Sequence, residues 1–153
     1  MRVIILIIFM AASVISAQTA HANDAVDPMT SPEATVQIQL RALQNNDVPR
    51  RDSGIRKVWA FAHPENKRFT GPLMKFMAMI KGPGYGMLLD HRRHDIQLLE
   101  QDNSIAAFVV RVIANDGLVY RCQWQVALVI SGENAGAWLT ISVSPPILDG
   151  KGT

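Results

Sequence analysis

Six consecutive residues, Asp90-His91-Arg92-Arg93-His94-Asp95, hold the densest set of groups able to do chemistry. Two histidines beside two aspartates are the materials of a metal site. They are also those of an acid–base pair, in which a carboxylate orients an imidazole that titrates near neutrality. The arginines add forked donors suited to an anionic group. Spacing argues against a metal. Residues three apart on an extended segment point to opposite faces, so His91 and His94 are not expected to converge on one ion. No metal and no cofactor is expected. The favoured reading of His91 and Arg92 is structural, as donors to loop carbonyls. The alternatives are a His–Asp pair using Asp90 or Asp95, and capture of an anionic ligand by Arg92 or Arg93. The methionines at 74, 77, 79 and 87 read as gap-filling core rather than a ligand box. The basic group Arg50-Arg51 with Arg56-Lys57 reads as a solvated face. Trp138, on the last expected strand, is the aromatic most expected to line a pocket.

These residues must be held by two kinds of element. Ser31, Pro32 and Glu33 form a helix start, and Val36, Leu40 and Leu43 recur on one helical face. Asp52 or Ser53 can cap a second helix striped by Ile55, Val58, Trp59 and Ala62. His63-Pro64 is expected to stop it, because the residue before proline is pushed away from α geometry, with a loop over 65–69. A third helix follows Pro72, striped by Leu73, Phe76, Met77 and Ile80 and closed by Gly82-Pro83. Residues 84–93 form an irregular bridge. Strands are then expected over 94–101, 104–114, 118–130 and 137–143, with Asn115-Asp116-Gly117 as a tight hairpin. In the third strand Leu118, Tyr120, Cys122, Trp124, Val126, Leu128 and Ile130 should face the helices. Val119, Arg121, Gln123, Gln125, Ala127 and Val129 should face solvent or a partner. The fold class is α+β: N-terminal helices packed on a curved, four-stranded antiparallel sheet.

Composition limits the functions available. Val3–Ile15 is apolar except for Ser13, follows Arg2, and precedes Ala20-His21-Ala22, the small-x-small pattern of a leader-peptidase site. At 13 residues the run falls short of the roughly 20 that a spanning helix needs. Residues 1–22 are therefore expected to be a signal peptide, and the protein exported to a periplasm or the medium. No membrane association is expected after cleavage. Residues 23–30 read as a flexible lead-in, 31–147 as one domain and 148–153 as a loose tail. Removing residues 1–22 from 153 leaves 131, enough for one core without staples. It also lowers the net charge from +2 to +1 with the loss of Arg2, which argues against a nucleic-acid surface. The single cysteine, Cys122, cannot pair within the chain and reads as a small buried hydrophobe.

Three stretches, SPEATVQIQLRALQNND (31–47), FAHPENKRFTGPLMKFMAMIKGPGYGMLLDHR (61–92) and AGAWLTISV (135–143), resemble an uncharacterised domain-of-unknown-function family. That family lies within the nuclear-transport-factor-2-like, or SnoaL-like, superfamily. The resemblance spans about 31–146 and implies a cone-shaped, cystatin-like roll with a pocket at its open end. That shell hosts isomerases, dehydratases, cyclases and plain binding modules, so it does not fix a function. Isomerases of the superfamily use a carboxylate base with a tyrosine-type oxyanion donor. Tyr85 and Tyr120 are present, but the last two strands carry no inward carboxylate. The leading expectation is a non-catalytic exported module that binds a small apolar or anionic ligand, or a protein partner. Tyr85, His91, Arg92 and Trp138 are its candidate ligand-binding residues, and no catalytic residue is assigned. The alternatives are an isomerase- or dehydratase-type enzyme using the pocket, and a structural homodimer formed through the open sheet face at Arg121, Gln123 and Gln125.

Overall fold

The first helix begins where a side chain can satisfy one of its first amides. In the computed structural model, which describes residues 26–152, Ser31 Oγ accepts from the Ala34 amide at 3.2 Å and Pro32 occupies the first turn of α1 (Pro32–Gln44). The expected leader over 1–22 lies outside the described residues. Of the lead-in, residues 26–30 are described. They form a turn closed by Thr30 N–H to Asp27 O at 3.0 Å, and Val26 packs on a small apolar cluster. Val36, Leu40 and Leu43 of α1 are fully buried, as their spacing predicts.

Helix α2 (Ser53–Ala60) follows Asp52, which sits at the cap position but in left-handed geometry and makes no cap hydrogen bond. Its carboxylate instead meets Lys81 Nζ at 2.7 Å. Gly54 is pressed onto the backbone of α1, where an added Cβ would collide with Ala42 O.

His63-Pro64 ends α2 but does not open the expected loop. It starts α3 (Pro64–Thr70), with Pro64 in the first turn and the His63 imidazole Nδ1 accepting from the Glu65 amide at 3.2 Å. The proline that cannot continue one helix is pre-set for the first turn of the next. Helix α4 (Leu73–Lys81) buries Phe76, Met77 and Ile80. A single 3-10 turn, Gly86–Leu88, then leads into the sheet.

Strands β1 (Arg93–Gln101), β2 (Ile105–Ile113), β3 (Leu118–Leu128) and β4 (Trp138–Val143) form an antiparallel meander. The sheet has five strands rather than four. The expected loose tail is β5 (Ile147–Lys151), which pairs with β3 on the same edge as β4. Pro145-Pro146 separates the two, and prolines are tolerated there because an edge strand needs no outward amide. At the break, Ser144 takes over the ladder. Its amide donates to Gln123 O, and its Oγ accepts from the Gln123 amide, both at 2.9 Å.

Alternation in β3 holds from Tyr120 to Val126 and slips at both ends. Val119, expected outside, is buried between Ile113 of β2 and Gly150 of β5, its partners on the two sides of β3. Val129 is buried and Ile130 is 87 % exposed, the reverse of the expectation. The strand ends at Leu128, so the period-two rule no longer applies beyond it. The main core lies between α1, α2, α4 and the inner face of β1–β3.

The crowded α1–α2 crossing predicts that Gly54→Ala lowers the unfolding free energy by about 2–3 kcal/mol, since backbone atoms cannot yield as a side chain would. Urea denaturation measures it.

Candidate functional site

Backbone hydrogen bonds tie the junction between α2 and α3 to β4. His63 N–H donates to Thr140 O and Thr140 N–H to Phe61 O, both at 2.8 Å. This positions the Thr140 side chain in the interior, where it is 2 % exposed. Its hydroxyl accepts from Trp124 Nε1 at 2.9 Å and Gln39 Nε2 at 2.8 Å, and lies 3.0 Å from Gln39 Oε1, to which it donates. Gln39 Nε2 also donates to Thr35 O at 3.0 Å. Among the described residues no buried side-chain nitrogen or oxygen lacks a partner.

Beside this network is a cavity of about 80 Å³, walled by Leu43, Val58, Phe76, Met79, Ile80 and Leu88, among others. Tyr85, Asn66 and Thr70 supply its remaining polar lining. Tyr85 OH donates to Val143 O at 3.1 Å, Thr70 OH to Asn66 O at 2.9 Å, and Asn66 Nδ2 to Thr140 O at 3.2 Å. Burial pushes the Tyr85 phenol above its ordinary pKa, so it stays protonated. No carboxylate, imidazole, ammonium or guanidinium lines the cavity.

Of the four candidate residues, only Tyr85 reaches this cavity. Trp138 does not line it. It sits opposite Leu128 on β4, half-buried and packed against the core, with its carbonyl accepting from Thr35 Oγ1 at 3.2 Å. Arg92 is exposed and donates to Asn115 O at 2.6 Å, fastening the bridge to the β2–β3 hairpin. His91 is 2 % exposed, and its Nδ1 meets Leu88 O at 2.7 Å.

The expectation that His91 and His94 diverge is overturned: His91 Nε2 lies 2.7 Å from His94 Nδ1. His91 precedes β1 and follows Asp90, whose φ of 52° turns the chain, so strand alternation does not govern the pair. They meet ring to ring, occupying the very nitrogens that would face a shared ion. His94 Nε2 then meets Gln37 Nε2 of α1 at 2.6 Å. Among the described residues no cluster of three or more His, Cys, Asp or Glu could hold a metal ion. Asn66, Thr70 and Gln39 escaped sequence reading. Nothing marks them except that Gln39 falls on the apolar stripe of α1.

Cys122 is buried, and desolvation pushes its thiol up to about 12. It should react with Ellman's reagent in the native protein at least about a hundredfold more slowly than in urea. Thr140→Val would strand the Trp124 N–H and the Gln39 amide in the core, and should cost about 2–4 kcal/mol by thermal or urea unfolding. No family model, no curated protein and no solved structure matches this chain.

Proposed function

We propose that this protein is a non-catalytic binding module of an exported chain, which takes a small, mainly apolar molecule bearing a hydroxyl or amine into the Tyr85 cavity. The observation that carries this reading is the use of the donors. The hydroxyl protons of Tyr85, Thr70 and Thr140 and the indole proton of Trp124 are all engaged within the protein. Apart from one hydrogen on the Asn66 amide, the unfilled capacity is in lone pairs, on Tyr85 Oη, Thr70 Oγ1 and the side of Asn66 Oδ1 away from the Thr70 hydroxyl, which lies 3.3 Å from it. An incoming donor finds partners there, whereas a carboxylate or phosphate meets acceptors and no cation. The anionic ligand is thereby disfavoured.

Acid–base catalysis fares no better. The cavity has no general base, and Tyr85 aims its proton at Val143 O rather than at an occupant. Volume sets the size. At about 80 Å³ the space is smaller than the roughly 150 Å³ engineered cavity that accepts benzene. A short alcohol or amine fits whole, and a longer molecule fits only by its head. Helices against a curved antiparallel sheet with an interior cavity also support the nuclear-transport-factor-2-like resemblance.

A homodimer through the outer sheet face is a second reading. A shallow apolar groove there is lined by Leu99, Val109 and Ile147 beside Arg121 and Gln123, with Leu99 52 % and Ile147 56 % exposed. Sedimentation should then show a dimer that Ile147→Glu dissociates without lowering the stability of the monomer. A monomer at about 100 μM would remove this reading.

For the cavity, ligand-observed NMR should detect millimolar binding of 1-butanol and none of butyrate. Met79→Trp should abolish the butanol signal by filling the space. Equal binding of butyrate, or butanol binding that survives Met79→Trp, would refute the reading.

A further inference from the structure

We propose that His91 and His94 form an acid-sensitive latch on the wall of this cavity, a form of regulation that rests on the binding reading above. The wall is the 3-10 turn, whose Leu88 side chain and preceding Tyr85 both line the space. The Leu88 carbonyl is held by His91. From there a chain of hydrogen bonds runs through His94 to Gln37, joining the wall to β1 and α1.

Proton positions in this chain follow from its two ends. A carbonyl only accepts, so His91 Nδ1 carries a proton. With both rings neutral, His91 Nε2 is bare and must accept from His94 Nδ1–H. His94 Nε2 is then bare and accepts from the Gln37 amide. With Gln37 presenting its nitrogen, as it does here, every contact is matched only while the pair is neutral. One added proton, on His94 Nε2, leaves the bond between the rings in place but sets an N–H against the Gln37 amide nitrogen, so that amide must rotate to present its oxygen. A second proton sets N–H against N–H at 2.7 Å between two cations, and the pair must part.

The surroundings resist the charge. His91 is almost wholly buried and His94 half-buried, and desolvation is the main cause holding both below their ordinary value. His91 and Arg41 of α1 disfavour charge on His94 further, while Asp95 of β1 favours it and Asp90 favours it on His91. Neither aspartate hydrogen-bonds a ring. From β2, His94 faces the uncharged Val112. The unfolded histidines bind protons from about pH 6.5 downward. Folded-state pKa values depressed below that mean that the stability the pair contributes is full above about pH 6.5 and is lost as pH falls further.

The test is amide hydrogen exchange on the purified protein at Leu88, Leu89 and Asp90, corrected for intrinsic pH dependence. Protection should fall by roughly tenfold or more between about pH 7.5 and pH 5, while the central strands stay protected. Gln37→Glu places a carboxylate at His94 Nε2 and should move the midpoint to higher pH. His94→Asn should flatten the change, and 1-butanol should bind the wild type more weakly at the acid end. Protection that does not change with pH overturns the latch, as does a midpoint that Gln37→Glu leaves unmoved. If protection falls as expected but butanol binds at neither pH, the latch stands and the binding reading fails.

Discussion

One buried hydroxyl carries most of the constraint in this molecule. Thr140 accepts from an indole on β3, exchanges hydrogen bonds with an amide on α1, and through its backbone pins the α2–α3 junction. A polar group in a core costs free energy unless its partners are in place, so none of these elements can shift without leaving one unmatched. The apolar contacts around it are more forgiving, because side chains of similar volume can repack. The hydrophobic core holds the layers together, and this network sets their relative position.

The cavity is a consequence of that arrangement. Thr140 and Gln39 satisfy one another just where α1 passes β4, and Asn66 reaches Thr140 O from α3. The helices are thereby held at a spacing that large side chains do not fill completely. The remaining space is bordered by polar groups whose protons, one on the Asn66 amide apart, are already committed, which makes it receptive to a donor and poor at stabilising developing negative charge.

The architecture was legible because its signals are local. Ser31-Pro32 starts a helix, Gly82-Pro83 ends one, and Asp116-Gly117 makes a hairpin with Gly117 at φ 85°. The errors lie where a local signal has two readings or a distant partner decides. Pro64 reads equally as a stop or a start, and a histidine cap no periodicity reveals made it a start. Residues 147–151 are exposed throughout and carry no alternation, so only the unpaired edge of β3 makes them a strand. Tyr85 could be named from its type, but its partner Val143 O is 58 residues away and a backbone atom. No side-chain pattern encodes such a pairing.

The histidine pair shows the same limit in its sharpest form. Period-two geometry holds only between residues that share a strand, and β1 begins at Arg93, between the two rings. The left-handed turn at Asp90 and the amide of that residue, bonded to Leu43 O at 2.9 Å, place His91 under the helices rather than in the ladder. His94 then points inward from the second position of β1, toward α1, and meets it there. Two imidazoles brought together with one proton each have no second arrangement of equal energy, because the carbonyl at one end fixes the direction of every bond after it. The geometry that engages all four ring nitrogens is therefore the same geometry that makes the contact between the rings depend on proton count.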